Sequence, residues 1–290
     1  MAIPAIKRIV IISDRDNIGK NLGRGVAIEV GGFALGPMIS ALTVGTFGLA
    51  APFLILATIL VVMVIAIARE TIEETAIEDQ PNERFALDLL RIRPLTGAIL
   101  IGVALYVMIG VFDPLWVVMM DDLGAPNWVG NAGVSIFGMP WILFATVGGA
   151  IAQKYGPFRV SAFGLAIGAF YMASYGFIGS PYVVLGVALT QSALHALTVT
   201  GTGIAVANAA PPQRQAGASG LLGGIQTLTG GVVALAAGSV YEHFGRGVAF
   251  GATGIVMFSL VCIGCLLAGP KLLRRPNPLD SSYGISISGP

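Results

Sequence analysis

Long apolar runs alternate with short polar breaks along this chain. A helix needs about 20 mostly apolar residues to cross a bilayer. Windows of that kind occur eight times, at approximately 22–45, 47–68, 95–120, 127–152, 159–178, 181–208, 216–241 and 247–269. Within them apolar and polar residues do not alternate, as the strands of a membrane barrel require. The breaks "VGTFG", "GSPY" and "YEHFGRG" are short, so the spans they join are expected to be antiparallel hairpins. The predicted fold class is an all-α polytopic membrane protein of about eight transmembrane helices.

Composition agrees. Hydrophobic residues make up 55% of the 290 and charged residues 11%, with a mean hydropathy of +0.84. A soluble domain holds roughly 25% charged residues, so lipid is the better solvent for this surface. The net charge of +1 gives no footprint for nucleic acid. At the start, only the five residues Ile9 to Ser13 are uninterrupted by charge or proline. That run is too short for a signal peptide or a span, and reads as the end of a helix that begins earlier.

Sorting lysines and arginines by side orients the spans. With the first span starting in the cytoplasm, fifteen fall on the cytoplasmic side and Arg246 alone on the other. This is a positive-inside pattern. It predicts a cell (inner or plasma) membrane protein with both termini cytoplasmic. Residues 69–94, "RETIEETAIEDQPNERFALDLLRIRPL" without its last residue, form the only sizeable polar connection between spans. Residues 270–290 lack apolar periodicity and are expected to be a disordered tail.

Polar groups inside spans are the candidate functional positions, since an isolated charge at the bilayer centre costs on the order of 3 kcal/mol or more. Of the fifteen acids, Glu29 and Asp113 alone lie in spans away from a loop. Glu29 is either a proton-carrying site or a partner for nearby Arg24 or Lys20. Asp113 precedes Pro114, and is either a second proton carrier or an outer-interface residue at a kink. Gln191, His195, Thr198 and Thr202 recur on one helical face, which must meet a cavity or an opposing helix. Gln226 is a candidate partner across that space. Trp116 and Trp141 could supply stacking surface, with interface anchoring the alternative for Trp116.

Cys262 and Cys265 have no second Cys or His pair to complete a metal site, and read as small thiols on one face of a buried helix. There are two histidines, no paired acids at catalytic spacing and no phosphate-binding loop of the P-loop type. Enzymatic activity, a catalytic residue, a cofactor and a metal are therefore not expected.

Two motifs carry a family resemblance. "GRGVAIEVGGFALGPMISAL" resembles the antiporter signature of the major facilitator superfamily, with Gly23, Gly32, Gly36 and Pro37 in register and Ser40 and Ala41 replacing its final glycine pair. "GGAIAQKYGPFR" is similar to the family's cytoplasmic loop motif through Gly149, Ile151, Lys154, Gly156 and Arg159, with Gln153 in place of the motif's acid.

The resemblance implies a major-facilitator-like fold in which the eight spans are helices five to twelve. Residues 1–68 would then be the remnant of the N-terminal six-helix bundle, and 69–94 the central cytoplasmic loop. Residues 95–269 would be the C-terminal six-helix bundle and 270–290 the cytoplasmic tail. Three helices and most of a fourth would lie upstream of residue 1, through truncation, a miscalled start, or supply by another chain.

It also implies a drug:proton antiporter-like secondary transporter. The expected partners are the lipid bilayer, a small organic solute and protons. Glu29 and Asp113 would couple protons. Gln191, His195, Thr198, Gln226 and Trp141 would line the substrate pathway, and the signature glycines would seal α-helical packing. Rival readings are a non-transporting fragment or regulatory or assembly subunit, and a nutrient symporter or uniporter.

Overall fold

A computed structural model describes residues 18–69, 86–270 and 273. The expected helix end near residues 10–14, most of the central polar connection and the tail lie outside the described residues.

Among the described residues seven α-helical segments follow one another: α1 (Ile18–Phe47), α2 (Ala51–Ile67), α3 (Arg93–Asp122), α4 (Asn127–Tyr155), α5 (Pro157–Ser174), α6 (Pro181–Ala209) and α7 (Gln215–Ala268). A 3-10 turn over Ala86–Arg91 leads into α3. No strand occurs among the described residues. Helix starts follow local chemistry: α2, α3, α5 and α6 each carry proline in their first turn, where the missing N–H removes a donor that would be unpaired anyway.

The windows read from sequence reappear with their ends moved by a few residues, and the one marked difference is α7. The spans expected at 216–241 and 247–269 meet without a loop. The chain stays helical through residue 244 and reverses at the single residue Gly245, where φ is +79° and ψ 172°. Glycine tolerates that left-handed φ because it has no Cβ. The limb before Gly245 runs parallel to α3, with Gln226 beside Gly102 and Tyr241 beside Asp122. The limb after it runs antiparallel, bringing Gly264 to the level of Gly97. One residue therefore makes the predicted hairpin.

By length and apolar composition, Arg93–Asp122, Ile136–Tyr155, Pro181–Ala209 and Gln215–Ala268 can cross a membrane, the last at 54 residues long enough for two passes. α2 is apolar but has 17 residues, about 25 Å at 1.5 Å per residue, slightly under a hydrocarbon core of about 30 Å. Its side chains from Phe53 onward are largely exposed, as a lipid-facing helix requires.

α3 is the axis of the main hydrophobic core. Leu95, Ile99, Ile101, Leu105 and Met119 on it are all buried. α7 closes on it tightly: a Cβ on Gly97 would fall 2.6 Å from Gly264 O, and one on Gly110 would fall 2.6 Å from Gly230 O. Without a hydrophobic driving force between helices in lipid, close approach at small residues supplies the packing attraction.

Trp116 is fully buried, donates from Nε1 to Gly130 O at 3.2 Å, and meets the Phe112 ring tilted at 5.3 Å and the Phe137 ring edge-to-face at 4.6 Å. The interface-anchor alternative for Trp116 is thereby corrected, because a tryptophan whose ring and N–H are both satisfied by protein has nothing left for the headgroups. Cys262, expected to be buried, is exposed on the apolar exterior.

Candidate functional site

The polar face of α6 meets helix α5. α5 carries Gly164 and Gly168 one turn apart in "GLAIG", and a Cβ on either would overlap the side chain opposite, Thr198 and His195 respectively. In the reverse sense, Ser161 of α5 lies over Gly201 of α6 and donates to Thr198 O at 3.3 Å. Polar knobs thus fill holes left by glycine on both helices, the small-residue packing of membrane interiors.

Within this seam, Thr198 donates back to Leu194 O and His195 O at 3.1 and 3.2 Å. Gln191 accepts from the Tyr175 hydroxyl in a short hydrogen bond and donates to Met108 Sδ at 3.3 Å. His195 is buried, and its Nε2 makes no hydrogen bond among the described residues. A neutral imidazole tolerates that better than an imidazolium, whose charge would be desolvated without a partner.

Gln226 belongs to a separate constellation. It projects from α7 and donates from Nε2 to Gly102 O at 2.9 Å. A Cβ on Gly102 would lie 3.2 Å from Gln226 Nε2 and 3.6 Å from Thr202 Cβ. Gln226 and Thr202 therefore converge on the α3 backbone, His195 and Thr198 meet α5, and Gln191 reaches both α5 and Met108 of α3. Trp141 on α4 is half-buried and packs against the main core.

The acids lie on the open side. Between residues 101 and 120 the positions of α3 that are not buried are Tyr106, Ile109, Asp113, Pro114, Val117 and Val118, a single stripe at helical spacing. Asp113 and Tyr106 share it, two turns apart. Glu29 is exposed on α1. No ion pair joins Glu29 to Arg24 or Lys20 among the described residues. Tyr175 carried no signal in the sequence: it matters through its partner Gln191 on α6.

α1 leans on α4 at one glycine above all. A Cβ on Gly23 would fall 2.7 Å from Thr146 Cα, whereas Gly31 comes within 3.9 Å of Ile142 Cδ1 and Gly32 and Gly36 meet nothing within 4 Å among the described residues. The α1 helix continues through Pro37. At the α4–α5 corner, Gly156 has φ +99° and turns the chain between Lys154 and Arg159, both exposed. Gly149 is buried, one turn before Gln153, and Lys154 Nζ lies 5.4 Å from the Tyr155 ring centre.

In comparisons with known proteins, a family model described as Major Facilitator Superfamily matches residues 98–284. No curated protein matches the chain.

Proposed function

Because the chain belongs to the major facilitator superfamily, a family of membrane transporters, we propose that it exports a small amphipathic organic solute by alternating access. Protons flow the opposite way. The observation that carries this reading is the open stripe of α3, on which Asp113 is exposed at membrane depth, together with the exposed carboxylate of Glu29 on α1. Carboxylates at membrane depth are costly unless water or a partner reaches them. Two exposed carboxylates in spans suit alternate protonation and release.

In the mechanism, a proton taken up by Glu29 or Asp113 removes a charge that opposes closure of the halves. Its loss on the other side restores that charge and reopens the path. A ligand shifts such an equilibrium only by its differential affinity for the two states, so a cationic or amphipathic solute competes with the proton for the same carboxylates. Half-buried Trp141 borders the pathway, and the buried Gln191–His195–Thr198 group and Gln226 hold together the helices that wall it. The α1–α4 contact at Gly23 limits leak between the halves. The charge asymmetry of the connections supports cytoplasmic termini and the cell membrane.

The test is ethidium efflux from everted membrane vesicles bearing the protein, with and without an imposed pH gradient. Gradient-dependent movement that is lost in Glu29→Gln and Asp113→Asn is expected. Unchanged pH dependence in both variants would refute the assigned carriers. Absence of movement in the unmodified protein would favour a non-transporting membrane subunit.

A further inference from the structure

We propose that residues 86–91, "ALDLLR", form an interfacial anchor that binds anionic phospholipid of the leaflet at which α3 begins. A 3-10 turn has three residues per turn, so side chains at i and i+3 eclipse. Six residues then give three rows of two. Ala86 and Leu89 form the inward row: Leu89 is 2% exposed, and Ala86 touches the position of Gly217 on α7. Leu87 and Leu90 form the outward row, 60% and 36% exposed. Asp88 and Arg91 form the polar row.

Two ties hold the turn in that rotation. Asp88 receives both Arg214 nitrogens in a bidentate pair, with Nη2 to Oδ1 at 2.8 Å. At the other end Thr96 Oγ1 donates to Leu90 O at 2.7 Å. A six-residue 3-10 run is longer than usual, and these ties explain why it persists. The outward leucines cannot rotate inward without breaking the Asp88–Arg214 pair.

The occupant follows from charge and place. The turn runs directly into a membrane-crossing helix, so its outward row lies at the boundary of the hydrocarbon. Arg91 and Arg93 are both exposed beside the leucines. Two acyl-seeking side chains flanked by two guanidiniums match a phospholipid, with its chains against Leu87 and Leu90 and its phosphate forked by arginine. The proposal rests on membrane embedding alone and is independent of what the protein transports.

The experiment uses the full chain in lipid nanodiscs, with Cys262→Ser and Cys265→Ser as background. Spin labels at Leu87→Cys and Leu90→Cys should collide more with oxygen than with a water-soluble nickel chelate, and a label at Arg91→Cys should do the reverse. Replacing part of the phosphatidylcholine with phosphatidylglycerol should raise the melting temperature of the unmodified protein. The double change Arg91→Gln/Arg93→Gln should remove more than half of that rise, whereas Arg24→Gln should keep it and free inorganic phosphate should not reproduce it. Water-accessible labels, labels shielded from both reagents, dipolar broadening from a second copy, or an undiminished lipid response in the double variant would each overturn the proposal.

Discussion

His195 on α6 occupies the space that Gly168 on α5 leaves by having no side chain. The contact is mutual: the ring cannot sit there if the glycine gains a Cβ, and the glycine leaves a void if the ring is removed.

Gly168→Ala should therefore destabilise the protein by about 1–3 kcal/mol, the usual cost of overpacking. Adding His195→Ala should recover part of the loss. Melting temperatures of the two single variants and the double variant in detergent give the coupling directly, and additive effects would show that the two positions do not share one space.

The α1–α4 crossing separates two kinds of glycine in one motif. Gly23→Ala must push on the α4 backbone at Ala145 and Thr146, and should weaken both folding and any transport. Gly36→Ala meets nothing within 4 Å among the described residues and replaces a poor helix former with the best one, a change worth up to about 1 kcal/mol in favour of the helix. Expression level and melting temperature should move in opposite directions for the two variants.

Trp116 should emit as a buried indole. Its ring is fully enclosed, so a variant retaining it alone, with Trp128→Phe and Trp141→Phe, should show blue-shifted fluorescence that acrylamide barely quenches. Trp116→Ala should cost about 3–5 kcal/mol, the range for deleting a large core aromatic.

The Asp88–Arg214 pair is partly exposed, with side-chain exposures of 27% and 19%. Its bidentate geometry lifts it above a loose surface pair, yet solvent screens it. Asp88→Asn should cost about 1 kcal/mol, and the loss should shrink as salt is added. Thermal melts of the unmodified and Asp88→Asn proteins at low and high salt check both signs.

Much of the helical layout was legible because hydrocarbon demands an unbroken apolar run, and that demand marks both ends of each span. The reversal at Gly245 was not, since "YEHFGRG" has the composition of an ordinary polar loop, and nothing local says that one glycine will do the work of several residues. The polar face of α6 could be read from spacing, and the small-residue pair Gly164 and Gly168 was equally visible as "GLAIG". What was missing was which helix meets which. That is a property of tertiary packing, and it set Gln226 at Gly102, beside Thr202 of that face. Tyr175 was invisible for the same reason. A tyrosine in an apolar span looks like core until the group facing its hydroxyl is known.

The reversal at Gly245 leaves α7 with no slack at that end. A tag, protease site or reporter inserted there would have to break a helix on one side or the other. The turn at residues 123–126, where Gly124 already has φ +67°, offers the same end of the bundle with backbone to spare. Topology reporters for this protein belong in that turn, and a reporter that fails at residue 245 would speak of a shattered hairpin, whichever side of the membrane it faces.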